Sequence, residues 1–162
     1  MVIISDTSCI NNLLVINKLN LLHQIFGEII IPPAVYDELV AYESINPDIS
    51  KIDSFIWIKI KPITNLVLYE YLLNYLDNGE AQAITLAQEL KAELLVVDES
   101  AGREIAKQYG LVVTGTIGVI VQAKKLGIIP HVKEILDNLR NISGFWINQK
   151  FYNEVLQQVN EF

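Results

Sequence analysis

The sequence predicts an α/β protein in which a mainly parallel sheet of five strands is covered by helices on both faces. Short runs rich in Val, Ile and Leu alternate with longer segments of helical periodicity, which is the pattern of strand–helix–strand units. The first and fourth runs are almost continuously apolar, so we expect these two strands to be buried on both sides, near the centre of the sheet. Glycines follow several of the helical segments, as at helix ends.

The predicted strands are short, and polar or turn-forming residues mark where several of them end. The first stops at Asp6, the second at Pro32-Pro33, where Pro33 can occupy a first helical turn, and the fourth at Asp98. In chain order the strands are Val2–Ser5, Glu28–Ile31, Trp57–Ile60, Leu94–Val97 and Leu111–Val113.

Helical spacing of apolar residues places helices between and after these strands. Gly27, Gly110 and Gly127 each follow a predicted helix end, where a left-handed residue is common. The Glu43–Asp48 stretch, which contains Asn46-Pro47, is predicted to be a loop. The predicted helices are Ser8–Asn17, Lys18–Phe26, Pro33–Tyr42, Asp48–Phe55, Leu66–Leu76, Gly79–Leu90, Ser100–Tyr109, Thr116–Lys125, His131–Arg140 and Gln149–Asn160.

Length and composition indicate a soluble globular protein. A chain of 162 residues that is 51% hydrophobic suits one domain over residues 1–162, and no apolar run is long enough to cross a bilayer. The first residues lack a basic region before an apolar core, so we expect no export signal. Cys9 is the only cysteine, which excludes an internal disulfide and fits a reducing compartment. We therefore expect a cytoplasmic protein with no membrane contact.

The formal net charge of −7 argues against simple electrostatic binding of nucleic acid, which usually needs a basic surface. A divalent cation held by clustered carboxylates could reverse the potential locally, because a bound metal is often the largest charge in a site. Any nucleic-acid site in this chain must therefore overcome the negative charge locally, and a bound metal is one way to do so.

Four acidic residues are candidates for such a cluster. Asp6 and Asp98 end the two strands predicted to be central, Glu80 opens the helix that leads into the second of them, and Glu38 lies about one turn inside the helix that starts at Pro33. Taken singly, each acid has a structural explanation as a helix cap or a solvated side chain. Taken together, they can face one crevice, because ligands bind beyond the carboxyl ends of parallel strands.

Clustered carboxylates repel one another unless a cation neutralises them, and oxygen ligands suit hard cations such as Mg²⁺ or Mn²⁺. Metal ions in such a site can activate water and stabilise the leaving oxygen during attack on phosphorus. The residues thus favour hydrolysis of a phosphodiester bond.

Five stretches of the chain together resemble the PIN-domain family of metal-dependent ribonucleases, which includes VapC-type toxins. The resemblance extends over nearly the whole length and is closest to a PIN-like subgroup. It is carried by Ser5-Asp6-Thr7-Ser8, Ile31-Pro32-Pro33-Ala34-Val35-Tyr36-Asp37-Glu38-Leu39, Gly79-Glu80-Ala81-Gln82-Ala83-Ile84, Leu95-Val96-Val97-Asp98-Glu99 and Val113-Thr114-Gly115-Thr116-Ile117-Gly118-Val119.

The resemblance implies a three-layer fold with strand order 3-2-1-4-5 and a site made from the four acids. Asp6 and Asp98 would be the principal ligands of Mg²⁺ or Mn²⁺, and Glu38 and Glu80 would complete the shell directly or through water. The third acid of typical members is Asp, so water-mediated binding by Glu80, or substitution by Asp77 or Glu99, stays open. The Ser8 hydroxyl would orient a water or touch phosphate, and Thr114 and Thr116 would line the same crevice, Thr116 also being a candidate helix cap. Arg103 is a candidate phosphate contact or carboxylate partner.

The Val67–Leu76 segment is more apolar and aromatic than one buried helix face requires. It predicts a partner surface for a second copy, giving a homodimer, or for an antitoxin helix, and the alternative is a helix buried on more than one side.

The leading hypothesis is a Mg²⁺- or Mn²⁺-dependent endoribonuclease, plausibly the toxin of a toxin–antitoxin pair, with RNA as substrate. An inactive PIN-like module that binds nucleic acid or protein is the alternative. A phosphoacceptor receiver domain ranks last, because Thr114 stands where that class needs a lysine after the final strand.

Overall fold

The sheet consists of five short parallel strands in the order β3-β2-β1-β4-β5. The computed structural model describes residues 1–162. This order confirms the predicted α/β class and topology, with β1 in the middle between β2 and β4. The strands are β1 (Ile3–Ser5), β2 (Ile29–Ile31), β3 (Ile58–Ile60), β4 (Leu94–Val96) and β5 (Val113–Thr114).

Nine α-helices connect and follow the strands. A 3₁₀ turn, Ile52–Ser54, precedes β3, and a π-helical turn, Leu139–Ser143, continues α8. The helices are α1 (Thr7–Val15), α2 (Asn20–Phe26), α3 (Pro33–Ile45), α4 (Leu66–Leu72), α5 (Asn78–Leu90), α6 (Ser100–Gln108), α7 (Thr116–Lys125), α8 (Lys133–Asn138) and α9 (Gln149–Gln158).

The predicted helix over Asp48–Phe55 is wrong, because only the 3₁₀ turn forms there. The backbone N–H of Ile52 donates to the carboxylate of Glu43 at 2.9 Å, so a side chain of α3 takes a donor that helix formation would need. Helix α3 itself runs to Ile45, three residues beyond the predicted end and into the predicted loop.

Several other helix ends lie inside their predicted bounds, and at two of them, in α4 and α8, a side chain bonds the backbone. Helix α4 stops at Leu72, where the amide of Asn74 donates to the carbonyl of Tyr71 at 2.9 Å. Helix α8 starts at Lys133 rather than His131. The carboxylate of Glu161 accepts from the backbone N–H groups of Val132 at 2.7 Å and Lys133 at 3.0 Å, which satisfies the first donors of that helix.

Side chains along each strand point alternately to the two faces of the sheet, and this divides the hydrophobic core into two layers. Ile3 and Val96 belong to the larger cluster, which α1, α2, α3, α7, α8 and α9 cover. Ile4 and Leu95 belong to the smaller one, which α4, α5 and α6 cover. Because successive strand residues point to opposite faces, this division gives a helix–sheet–helix sandwich. None of the helices is both long and apolar enough to reach across a bilayer.

The carboxyl edge of the sheet is where the chain repeatedly turns from strand into helix. β1 leads into α1, β4 into α6 and β5 into α7, each within a few residues, and α5 also begins beside this edge. The residues in these turns are therefore held between the end of a strand and the start of a helix. All of the predicted site residues lie in these turns or next to them.

Candidate functional site

Asp6 lies at the centre of the carboxyl edge, directly after β1. Its backbone N–H donates to the carbonyl of Val96 at 3.0 Å, so the residue is fixed against β4. The side chain is only 2% exposed, occupies the N-cap position of α1 without forming a capping hydrogen bond, and its Oδ1 has no partner. Burial, and then the charges of Asp98 and Glu80, raise the pKa of the Asp6 carboxyl well above its usual range.

Glu80 enters from the first turn of α5. Asp77 caps that helix by accepting from the backbone N–H of Glu80 at 2.9 Å, so this carboxylate, which was a possible substitute ligand, is used as a helix cap. The Glu80 side chain is 9% exposed, and its Oε2 has no hydrogen-bond partner. Burial, followed by the neighbouring charge of Asp77, raises the pKa of Glu80 to about 7.

Asp98 follows β4 and is held by the start of α7. The backbone N–H of Thr116 donates to its Oδ1 at 2.7 Å, and the Thr116 hydroxyl donates to Oδ2 at 2.6 Å. Pairing of β4 with β5 brings the two residues together, since the N–H of Val97 bonds the carbonyl of Thr114 at 2.8 Å. Asp98 is half-buried, so its carboxylate is fixed yet reachable from solvent.

The carboxylate of Glu38 links three helices by hydrogen bonds. Its carboxylate accepts from the hydroxyl of Thr7, at the start of α1, and from the backbone N–H of Gly79, in the first turn of α5, at 3.1 Å. A Cβ at Gly79 would lie 2.5 Å from Oε2 of Glu38, so this approach requires glycine. Of the four predicted acids, Glu38 is thus the one that ties α3 to its neighbours.

The structure brings Asp6, Glu80 and Asp98 together closely enough for their charges to interact, with Asp6 as the shared neighbour. As the side chains stand, no three His, Cys, Asp or Glu residues form a group that could hold a metal ion. A divalent cation nevertheless fits the donors, because Asp6 and Glu80 each present a buried carboxylate oxygen that nothing in the protein satisfies. Such oxygens are costly to bury alone and are the donors that hard cations prefer.

The four residues predicted to contact substrate differ in their surroundings. Ser8 is half-buried in the first turn of α1. The Arg103 guanidinium donates to the carbonyl of Val97 at 3.1 Å and forms no ion pair. Thr114 ends β5 and stays half-buried. Thr116 is fully buried and follows the N-cap residue Gly115, so its hydroxyl positions Asp98 instead of facing solvent or capping the helix.

Two glycines missed by sequence reasoning shape the acidic site. A Cβ on Gly102 of α6 would lie 2.7 Å from Oε2 of Glu80, and a Cβ on Gly115 would lie 2.6 Å from Oδ1 of Asp98. Both permit a carboxylate to approach the backbone more closely than another residue would allow. The only sequence signal was a glycine within one turn of a predicted acid or strand end.

Comparison with known proteins identifies the family of the chain. A family model described as PIN domain matches residues 2–161, which is almost the whole chain. No curated protein matches the chain with significant similarity. PIN domains are in general nucleases that use divalent metal ions.

Proposed function

Because the chain belongs to the PIN-domain family, we propose that it is a Mg²⁺- or Mn²⁺-dependent endoribonuclease that hydrolyses RNA phosphodiester bonds in the cytoplasm. The observation that carries the proposal is the pair of unsatisfied, buried carboxylate oxygens on Asp6 and Glu80, beside Asp98 at the carboxyl edge of the sheet. The whole chain, residues 1–162, would act as one domain around this site.

In this proposal Asp6 and Asp98 hold the cation, Glu80 joins them directly or through water, and Glu38 supports the site through Thr7 and Gly79. A bound divalent cation would supply activation of water and stabilisation of the charge that develops on phosphate oxygens. The fixed Thr116 hydrogen bonds keep Asp98 oriented before substrate arrives. Rotation of the Asp6 and Glu80 side chains toward Asp98 would complete the donor set.

Arg103 provides the complementary charge for substrate. Its guanidinium has further N–H donors beyond the one bonded to Val97, and it forms no ion pair with a carboxylate. It stands beside Asp98, since a Cβ on Gly115 would lie close to both side chains. We therefore propose that Arg103 contacts a phosphate next to the scissile bond, with Ser8 and Thr114 as neighbouring hydroxyls.

An inactive PIN-like binding module is the second candidate. It is favoured by the hydrogen bonds that already occupy Glu38 and Asp98, and by the lack of a ready three-carboxylate group. This candidate predicts binding of RNA or protein without metal-dependent turnover.

Helix α4 supports a proposed partner surface. Only Leu72 of this helix is buried, whereas Leu66, Val67 and Tyr71, together with Leu73 and Tyr75 after it, are exposed. The alternative of a helix buried on several sides is therefore wrong. We propose that this face binds a second copy of the chain in a homodimer, and that an antitoxin helix would compete for it if the protein is the toxin of a toxin–antitoxin pair. Light scattering of the wild type and of Val67→Asp tests the dimer.

The decisive experiment measures RNA cleavage by purified protein in Mg²⁺, Mn²⁺ or EDTA. We expect cleavage in either metal, none in EDTA, and loss of cleavage in Asp6→Asn and Asp98→Asn. Asp48→Asn is the matched control, because it removes the same charge from an exposed residue outside the site. Metal-dependent cleavage that persists undiminished in both site variants would refute the assignment, and metal binding without turnover would favour the inactive module.

A further inference from the structure

A groove of about 570 Å³ runs beside Asp98 between helices α7 and α9. One wall is the face of α7 that carries Ile117, Val121 and Lys125, which are spaced at one helical turn each. The opposite wall is the face of α9 that carries Phe151 and Val155. The groove is therefore continuous with the candidate active site at its Asp98 end.

The groove carries two positively charged side chains that form no ion pair. Arg103 lies at the Asp98 end, and Lys125 lies in the last turn of α7. Neither forms an ion pair, whereas the adjacent Lys124 is bonded to Glu161 at 2.6 Å. On a chain of net charge −7, two unpaired cations in one cleft with Asp98 as its only acid are a local exception that suits an anionic ligand.

Aromatic rings line the same groove. Phe151 is 44% exposed although it is a large apolar side chain, and Phe145 lies half-buried against the core. The amides of Gln122 and Gln158 add neutral hydrogen-bonding groups. Unpaired cations together with an exposed ring and amide side chains match what a single nucleic-acid strand requires: charge for the backbone and a platform for base stacking.

We propose that this groove binds single-stranded RNA on one side of the scissile phosphate, with Lys125 contacting the backbone and Phe151 stacking on a base. The inference rests on the proposed nuclease function and names its substrate form. From Thr116 to Lys125 the wall measures roughly 13 Å along the helix axis, enough for about three or four stacked nucleotides. An unpaired strand can place its bases against the exposed ring of Phe151, whereas the bases of a duplex are stacked on one another.

The test measures equilibrium binding of a fluorescent single-stranded oligoribonucleotide in EDTA, so that cleavage cannot occur. We expect Phe151→Leu to weaken binding roughly 5- to 100-fold and Phe151→Trp to retain it, because the tryptophan restores a ring for stacking. Lys125→Ala is expected to lower the slope of log affinity against log salt by about 0.7, the value for one lost contact to a single strand. Lys59→Ala, on the opposite edge strand β3, is the matched charge control.

Equal affinity of wild type, Phe151→Leu and Lys125→Ala for the single strand would overturn the proposal, as would tighter binding of a duplex of the same sequence. If these variants instead lost binding of a protein segment, the groove would be a protein site. The binding proposal and the nuclease assignment are tested by different measurements. Binding is judged by the RNA affinity of Phe151→Leu and Lys125→Ala, and the nuclease assignment by metal-dependent cleavage in Asp6→Asn and Asp98→Asn. Melting curves of each variant verify that it is folded.

Discussion

Thr116 uses both of its donors, the backbone N–H and the hydroxyl, to hold the two oxygens of the Asp98 carboxylate at 2.7 Å and 2.6 Å. The threonine is fully buried, whereas the aspartate is half-buried. A residue of the core thus orients a carboxylate at the surface of the crevice.

Replacing Thr116 with valine should reduce metal-dependent cleavage about 10- to 100-fold, the usual effect of losing a group that orients a metal ligand. Valine keeps the shape of the side chain and removes only the hydroxyl bond to Oδ2. Thr116→Ser keeps the hydroxyl and should retain most of the activity. Cleavage rates and melting curves of both variants check this, and a valine variant as active as the wild type would contradict the positioning role.

Asp6→Asn should stabilise the metal-free protein and abolish its stabilisation by Mg²⁺. The variant removes a carboxyl whose ionisation is opposed by burial and by the charges of Asp98 and Glu80, which should raise the free energy of unfolding. Thermal melting in EDTA and in Mg²⁺ measures both effects. The expectation fails if Asp6→Asn melts lower than wild type in EDTA, or if Mg²⁺ raises its melting temperature as much as it raises that of wild type.

The metal-free protein should lose stability as pH rises from 5 to 8. The pKa of Glu80 is raised from 4.5 to about 7 by burial and then by Asp77, so folding takes up a proton between these values. The contribution is fully present below pH 4.5 and lost as pH rises through 7, by on the order of 2 kcal/mol.

Glu80→Gln is the variant that tests this pH dependence. It cannot ionise, so its melting temperature in EDTA should vary less with pH than that of wild type. The Asp6 carboxyl, whose pKa is also raised, leaves a residual slope of the same sign. Identical slopes in the two proteins would show that Glu80 is not the group that titrates.

Gly115→Ala should impair cleavage while leaving the fold intact. The new Cβ would lie 2.6 Å from Oδ1 of Asp98 and 3.0 Å from the guanidinium of Arg103, so one or both side chains must move. A cleavage rate at least 10-fold lower, with a melting temperature within a few degrees of wild type, is the expected result. Gly110→Ala is unsuitable as a control because its φ of +77° strains any other residue. Ala101→Ser, an exposed neighbour on α6, serves instead.

Glu161→Gln should destabilise the protein by on the order of 1–2 kcal/mol, because Glu161 bonds Lys124 and the first N–H groups of α8. Burial would raise the pKa of Glu161, but Lys124 and the two backbone donors outweigh it and lower the pKa. The stabilisation is therefore present above the ordinary value of 4.5 and lost as pH falls below it. Denaturant unfolding at pH 7 checks the loss, with the exposed Glu154→Gln as control. Equal unfolding midpoints for the two variants would contradict it.

The α/β class was predictable because a short apolar run marks each strand and periodic spacing marks each helix, whereas the strand order was implied by the resemblance to the PIN-domain family. The wrong prediction of a helix over Asp48–Phe55 shows the limit of predicting elements from local sequence. The Glu43 carboxylate that accepts from the N–H of Ile52 belongs to helix α3, and whether it can contact Ile52 depends on the tertiary structure. The same holds for Glu161, which sets the start of α8 from the far end of the chain.

At the candidate site, sequence reasoning located the acids but not their partners. Parallel strands end at one edge, so Asp6 and Asp98 could be placed together from the pattern alone. That Thr7 and Gly79 donate to Glu38, and that Thr116 donates to Asp98, follows from how neighbouring helices pack. Side-chain direction at a helix start is set by those contacts, which no spacing rule encodes.

The repeated turn from strand to helix at one edge has an electrostatic consequence. Helices α1, α5, α6 and α7 all begin there, so the positive ends of four macrodipoles surround Asp6 and Asp98. Each start contributes the equivalent of roughly half a positive charge. These fixed dipoles offset part of the repulsion among the acids without any lysine or arginine, and they continue to attract an anion after a cation has neutralised the carboxylates. A strongly acidic chain can in this way draw on its backbone, in addition to Arg103, to attract an anion to the crevice.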